Sequence, residues 1–152
     1  MRSPAPAPIL LFSGNGTSPN DVKAVEAVLR NMRIEYAKAN SRQLSSMGGL
    51  QMQQYRLLII PGGNFIQIGN GITDGAKDNI RRAVHDGLNY LGICAGAFIA
   101  GGLPRGLNLT SDVKFGFYSA EARGIRKTGQ KAAGFRRLVQ IEGEDCRRLA
   151  TL

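Results

Sequence analysis

The sequence predicts an α/β domain, a parallel β-sheet with helices packed on both faces. Three observations carry that expectation. Ile9-Leu10-Leu11-Phe12 and Leu57-Leu58-Ile59-Ile60 are short continuous apolar runs, the pattern of strands buried on both sides of a sheet. Segments with helical periodicity lie between the candidate strands. Alternation of strand and helix implies right-handed crossovers and hence parallel pairing.

The elements follow in order. After Ile9–Phe12, Ser13-Gly14-Asn15-Gly16-Thr17 reads as a loop. Ser18-Pro19-Asn20-Asp21 then reads as a helix start, with Ser18 as cap, Pro19 in the first turn and Asp21 completing a pattern like a capping box. Val22, Val25, Val28, Leu29 and Met32 recur at helical spacing and are expected to face inward. Ile34–Ala39 has the mixed polarity of an edge strand. Residues 41–54 read as loop and a short helix. Arg56–Ile60 is the clearest buried strand, stopped by Pro61-Gly62-Gly63. Asp74–Asp86 reads as a helix with Ile80, Ala83 and Val84 inward and Gly87 as its stop. Asn89–Ile93 is a further strand, and a small-residue helix begins directly after Cys94. Val113–Tyr118 suggests one more strand. Beyond Ile125 the chain is basic and glycine-dotted, and its apolar patch at Leu138, Val139 and Ile141 has no assigned place.

The resulting organisation is a flexible N-terminus over 1–7, one α/β domain over 8–124 and a basic tail over 125–152. The 152 residues suit one domain, and 43% hydrophobic with 20% charged residues is the profile of a soluble globular protein. The apolar runs fall far short of the roughly 20 residues of a membrane-spanning helix. The proline-rich N-terminus lacks the apolar core of a signal peptide. Cys94 and Cys146 do not make a disulfide framework, so the expected compartment is the cytoplasm.

The net charge of +9 is uneven, with +4 over residues 1–113 (11 basic, 7 acidic) and +5 over 114–152 (9 basic, 4 acidic). A basic tail can bind phosphate backbones. Without aromatic interleaving or a nucleic-acid motif, a solvated basic surface is the preferred reading and nucleic acid is disfavoured as a partner.

Gly92-Ile93-Cys94-Ala95-Gly96 fits the G-x-nucleophile-x-G pattern of a nucleophile elbow with cysteine as the nucleophile. A strained strand-to-helix turn needs small neighbours two positions away, and it projects the sulfur over the carboxyl end of the sheet. The Ala95 N–H would then be one oxyanion donor. The competing reading is a small buried hydrophobe, as free cysteines often are. Gly62 and Gly63 end the preceding strand, where bare backbone N–H groups can approach a carbonyl and supply the second donor; an ordinary turn is the alternative. Gly14-Asn15-Gly16 fails as a dinucleotide fingerprint because Pro19 stands where its third glycine belongs. Asn15, Gly16 and Asn64 are instead expected in loops at the mouth of a pocket. No metal-ligand cluster and no cofactor motif occurs.

Together these residues resemble the class I glutamine amidotransferase-like superfamily. Within it, Gly14–Ser18, Asn89–Ala97 and Lys114–Tyr118 are similar to landmarks of the N-terminal domain of biotin–protein ligases. The resemblance covers about residues 8–124. It implies a flavodoxin-like fold with Cys94 at the nucleophile position, and the ligase domain itself is not represented. Active amidotransferases add a histidine and an acid after the cysteine, whereas the chain's one histidine, His85, precedes Cys94. Residues 125–152 do not resemble the family's continuation, which points to a C-terminally incomplete domain. The expected function is a catalytically incomplete module binding a small molecule or a protein. A cysteine-dependent amide or ester hydrolase, or an amidotransferase, is the alternative. No membrane partner is expected, and association into oligomers stays open.

Overall fold

A computed structural model describes residues 7–101, 105–109 and 138–141. The elements are β1 (Ile9–Phe12), α1 (Pro19–Asn31), β2 (Tyr36–Ala39), α2 (Ser41–Ser46), α3 (Gly49–Met52), β3 (Leu57–Ile60), α4 (Phe65–Gly71), α5 (Asp74–His85), β4 (Asn89–Ile93), α6 (Ala95–Ile99) and β5 (Leu138–Ile141). The strands form one sheet in the order β2-β1-β3-β4-β5, every neighbouring pair parallel. This is the flavodoxin-like order. Val113–Tyr118 lies outside the described residues.

Successive strand residues point to opposite faces, and the two faces bury two clusters. Leu10, Phe12, Leu58, Ile60 and Tyr90 pack against Leu44, Met52, Ile68, Ile80 and Ala83 of α2 to α5. Ile9, Leu11 and Ile59 pack against Val22 and Leu29 of α1. Among the described residues no helix is long and apolar enough to cross a membrane.

Four details depart from the sequence reading. Val28 on α1 and Met32 at its C-terminal cap are 55% and 63% exposed. The inward stripe is rotated toward Glu26, which is buried and accepts a hydrogen bond from Tyr36 Oη at 2.9 Å. The Ser18 cap is made, with Ser18 Oγ accepting from the Asp21 N–H at 3.3 Å. The reciprocal half of the capping box is absent, because the Ser18 N–H donates to the Gly62 carbonyl at 2.8 Å. A complete capping box occurs instead between Asn40 and Gln43 at the start of α2. Helix α4 has no counterpart in the sequence reading, although Asn64 caps it and Ile68 and Ile72 bury its inner side. Finally, β5 falls within residues 125–152, so the sheet does not end with the segment assigned to the domain: the unplaced patch at Leu138–Ile141 supplies its edge strand beside β4.

Candidate functional site

Three strand ends meet at the carboxyl edge of the sheet. The order reverses between β1 and β3, and in open α/β sheets the crevice outside the strands at such a switch point is where ligands bind. The loop after β1 carries Asn15 to Asp21, the turn after β3 carries Gly62 to Asn64, and β4 runs directly into Cys94.

Cys94 joins β4 to α6 at φ 50°, ψ −109°, a conformation that costs a non-glycine residue of order 1–3 kcal/mol. Its surroundings enforce it. A methyl group on Gly92 would sit 2.5 Å from the Gly96 carbonyl oxygen and 2.6 Å from the Ala97 nitrogen. A methyl group on Gly96 would overlap the carbonyl of Ile60 on β3. The Cys94 carbonyl accepts from the N–H groups of Ala97 and Phe98, at 2.9 and 3.1 Å, closing the first turn of α6. The side chain is exposed.

The facing loops are stapled to each other. Thr17 and Gly63 form an isolated antiparallel bridge, in which the Asn64 N–H donates to the Gly16 carbonyl at 2.7 Å. Gly63 has φ 147°, and a methyl group there would strike the Gly16 carbonyl and lie 2.8 Å from the Ser18 nitrogen. A methyl group on Gly62 would overlap the Asp21 carboxylate and stand 3.4 Å from Cys94 Cβ. Gly62 therefore separates an acidic side chain from the cysteine by the width of a bare backbone. Among the described residues the N–H groups of Gly63 and Ala95 have no hydrogen-bond partner.

Of the residues singled out from sequence, Cys94, Ala95, Gly62, Gly63 and Gly16 are thus brought to one edge. The other two make contacts of their own. Asn64 Oδ1 accepts from the Gln67 N–H at 3.1 Å as the cap of α4. Asn15 donates its N–H to Ser41 Oγ at 2.9 Å, and its Cβ lies over Gly71. Asp21 is the residue the sequence reading missed, having been assigned wholly to helix capping; its place in the first turn after β1, beside the switch point, was the available signal. His85 ends α5, is 89% exposed and lies 3.1 Å from Asp86 Oδ1. Asp86 borders a polar depression of about 690 Å³ lined also by Gln53, Arg56 and Asn89, at the amino ends of the strands. His85 is therefore at the opposite end of the sheet from Cys94. Among the described residues no group of three or more His, Cys, Asp or Glu is placed to hold a metal ion.

Known structures share this architecture. Toxoplasma gondii DJ-1 in its oxidized form is similar at 12% identity, over 93% of this chain and 85% of that one, with a TM-score of 0.60. Schizosaccharomyces pombe DJ-1 matches at 17% identity, over 89% and 83%, with a TM-score of 0.53. A glutamine amidotransferase matches at 23% identity with a TM-score of 0.50, over 67% of this chain and 51% of that one. The fold is that of the class I glutamine amidotransferase-like superfamily. Within that class, the model of the biotin–protein ligase N-terminal family matches residues 7–129, and the chain belongs to this family. No curated protein matches the sequence.

Proposed function

We propose that the domain is a ligand-binding module that retains a cysteine at its binding edge but not the apparatus of an amidotransferase. The observation that carries this reading is the position of His85. Strand β4 separates it from Cys94, and its five residues span about 16 Å at about 3.3 Å each. No other histidine exists in the chain to take the thiol proton. Loss of such a partner typically costs orders of magnitude in rate. The Gly63 and Ala95 N–H groups remain suited to a carbonyl oxygen, so the ligand held over Cys94 is a small carbonyl compound.

One observation favours a second reading, amide or ester hydrolysis by Cys94. Asp21, across Gly62 from the cysteine, offers a carboxylate that could take the thiol proton as sulfur attacks a carbonyl. Turnover separates the two. The purified protein is incubated with glutamine and with 4-nitrophenyl acetate, while iodoacetamide labelling of Cys94 is followed by peptide mass spectrometry. The binding reading expects alkylation of Cys94 with no glutamate formed and no more 4-nitrophenol than an equal concentration of free thiol releases. Catalytic release of either product, abolished by Cys94→Ala, would establish the hydrolase instead.

A further inference from the structure

Beside Cys94 the structure presents two features that the binding reading has not yet used. Phe65 and Ile66, in the first turn of α4 directly after the Gly62-Gly63 turn, are 39% and 59% exposed. Phe98 lies one helical turn beyond Cys94 on α6, and its ring stacks against that of Phe65 at 5.8 Å between centroids, tilted by 56°. An apolar lip of two rings and a branched side chain therefore borders the cysteine on the α4–α6 side. Asp21 borders it on the α1 side, its carboxylate over Gly62. Exposed apolar side chains grouped on a surface mark a place that an apolar group covers. A carboxylate at the same rim repels an anion and leaves a neutral ligand unaffected.

We propose that the ligand recognised at Cys94 is a neutral carbonyl compound carrying an aryl or branched aliphatic group, an amide or ester rather than a carboxylate or phosphate. The apolar group lies on Phe65, Ile66 and Phe98, and the carbonyl oxygen takes the Gly63 and Ala95 N–H groups. This rests on the binding reading above and adds the chemical class of the ligand. Both discriminating elements are set by the fold: Phe65 by the Asn64 cap of α4, and Asp21 by the Ser18 cap of α1.

Three alkylating probes of one reaction type test it: iodoacetamide, N-benzyl iodoacetamide and iodoacetate. In each reaction the Cys94 sulfur displaces iodide, so the only variables are the appended ring and the charge. Rates at Cys94, read by peptide mass spectrometry to separate it from Cys146, are divided by those with 2-mercaptoethanol. After that correction the benzyl probe should react about tenfold faster than iodoacetamide, as expected for covering a few tens of Å² of apolar surface. Iodoacetate should react about fivefold slower than iodoacetamide, as expected for one nearby like charge near the surface. Phe65→Ala and Ile66→Ala together should erase the benzyl preference, and Asp21→Asn should erase the discrimination against iodoacetate. Val28→Ala, an exposed change on the outer side of α1, should alter neither ratio, and circular dichroism of each variant guards against misfolding. Equal corrected rates for all three probes, or ratios indifferent to these substitutions, overturn the ligand class while leaving Cys94 as a binding edge. Failure of every probe to label Cys94 in the folded protein overturns the binding reading with it.

Discussion

Tyr90 Oη donates a 2.6 Å hydrogen bond to the carbonyl oxygen of Gly96, tying the strand that enters Cys94 to the helix that leaves it. Tyr90 is fully buried, and burial raises its phenol well above the ordinary value of 10.0. Tyr90→Phe leaves the Gly96 carbonyl without this donor and should destabilise the protein by about 1–3 kcal/mol, measured by urea unfolding. Because the folded protein holds this proton above pH 10.0 while the unfolded chain releases it, the stability supplied by the neutral phenol is complete below pH 10.0 and falls as pH rises beyond it. Urea midpoints measured up to pH 11 should decline more steeply for the native protein than for Tyr90→Phe.

Gly96 cannot carry a side chain. Its added methyl group would meet the Ile60 carbonyl carbon at 2.6 Å, and that atom belongs to the central strand β3. Since β3 cannot retreat without breaking sheet pairing, and α6 is held to β4 by the Tyr90–Gly96 hydrogen bond, Gly96→Ala should cost more than about 3 kcal/mol, a loss typical of overpacking against rigid structure. Thermal unfolding monitored by circular dichroism reads this directly, and a midpoint within a few degrees of the native value would contradict the described approach of α6 to β3.

Strain at Cys94 should be recoverable. Its φ of 50° with ψ of −109° suits glycine, and its exposed side chain contributes little burial. Cys94→Gly should therefore be about 1 kcal/mol more stable than Cys94→Ala in urea unfolding. Equal stability would show that the turn is unstrained.

Glu26 offers a test away from the site. Its carboxylate accepts from Tyr36 Oη at 2.9 Å and pairs with Lys38 at 3.1 Å and Arg30 at 3.4 Å. The Tyr36 hydrogen bond first, then the two cations, against the opposing effect of burial, lower its carboxyl below the usual 4.5. A carboxyl with a depressed folded value stabilises the protein above pH 4.5, and that contribution is lost as pH falls through the folded value. Glu26→Gln should lower stability at pH 7 and show a shallower decline between pH 5 and pH 3 than the native protein, measured by urea unfolding.

Much of the fold was legible because buried strands and capped helices leave local marks. Leu57–Ile60 has no polar residue to compete for another placement, and Gly92 and Gly96 flank Cys94 at the spacing a tight turn requires. The failures have one cause, which is that side chains answer to distant partners. Asp21 has the chemistry of a capping residue, and only the approach of Gly62, 41 positions away, takes the Ser18 N–H and frees its carboxylate. Glu26 has the chemistry of a solvated face until Tyr36 and Lys38 on β2 draw it inward. Leu138–Ile141 is interrupted by the polar Gln140 and so lacks the continuous apolar run of β1 and β3, and only pairing with β4 defines it as a strand.

Among the described residues every pairing between strands of the sheet is parallel, so each must wait for a crossover to close, and non-local pairing of this kind slows folding. The staple between Thr17 and Gly63 joins segments that meet only after β1 and β3 have aligned. The environment of Cys94 is thus a late product of assembly. Its alkylation rate, followed during refolding from urea, would serve as a clock for the moment when the three strand ends first come into register.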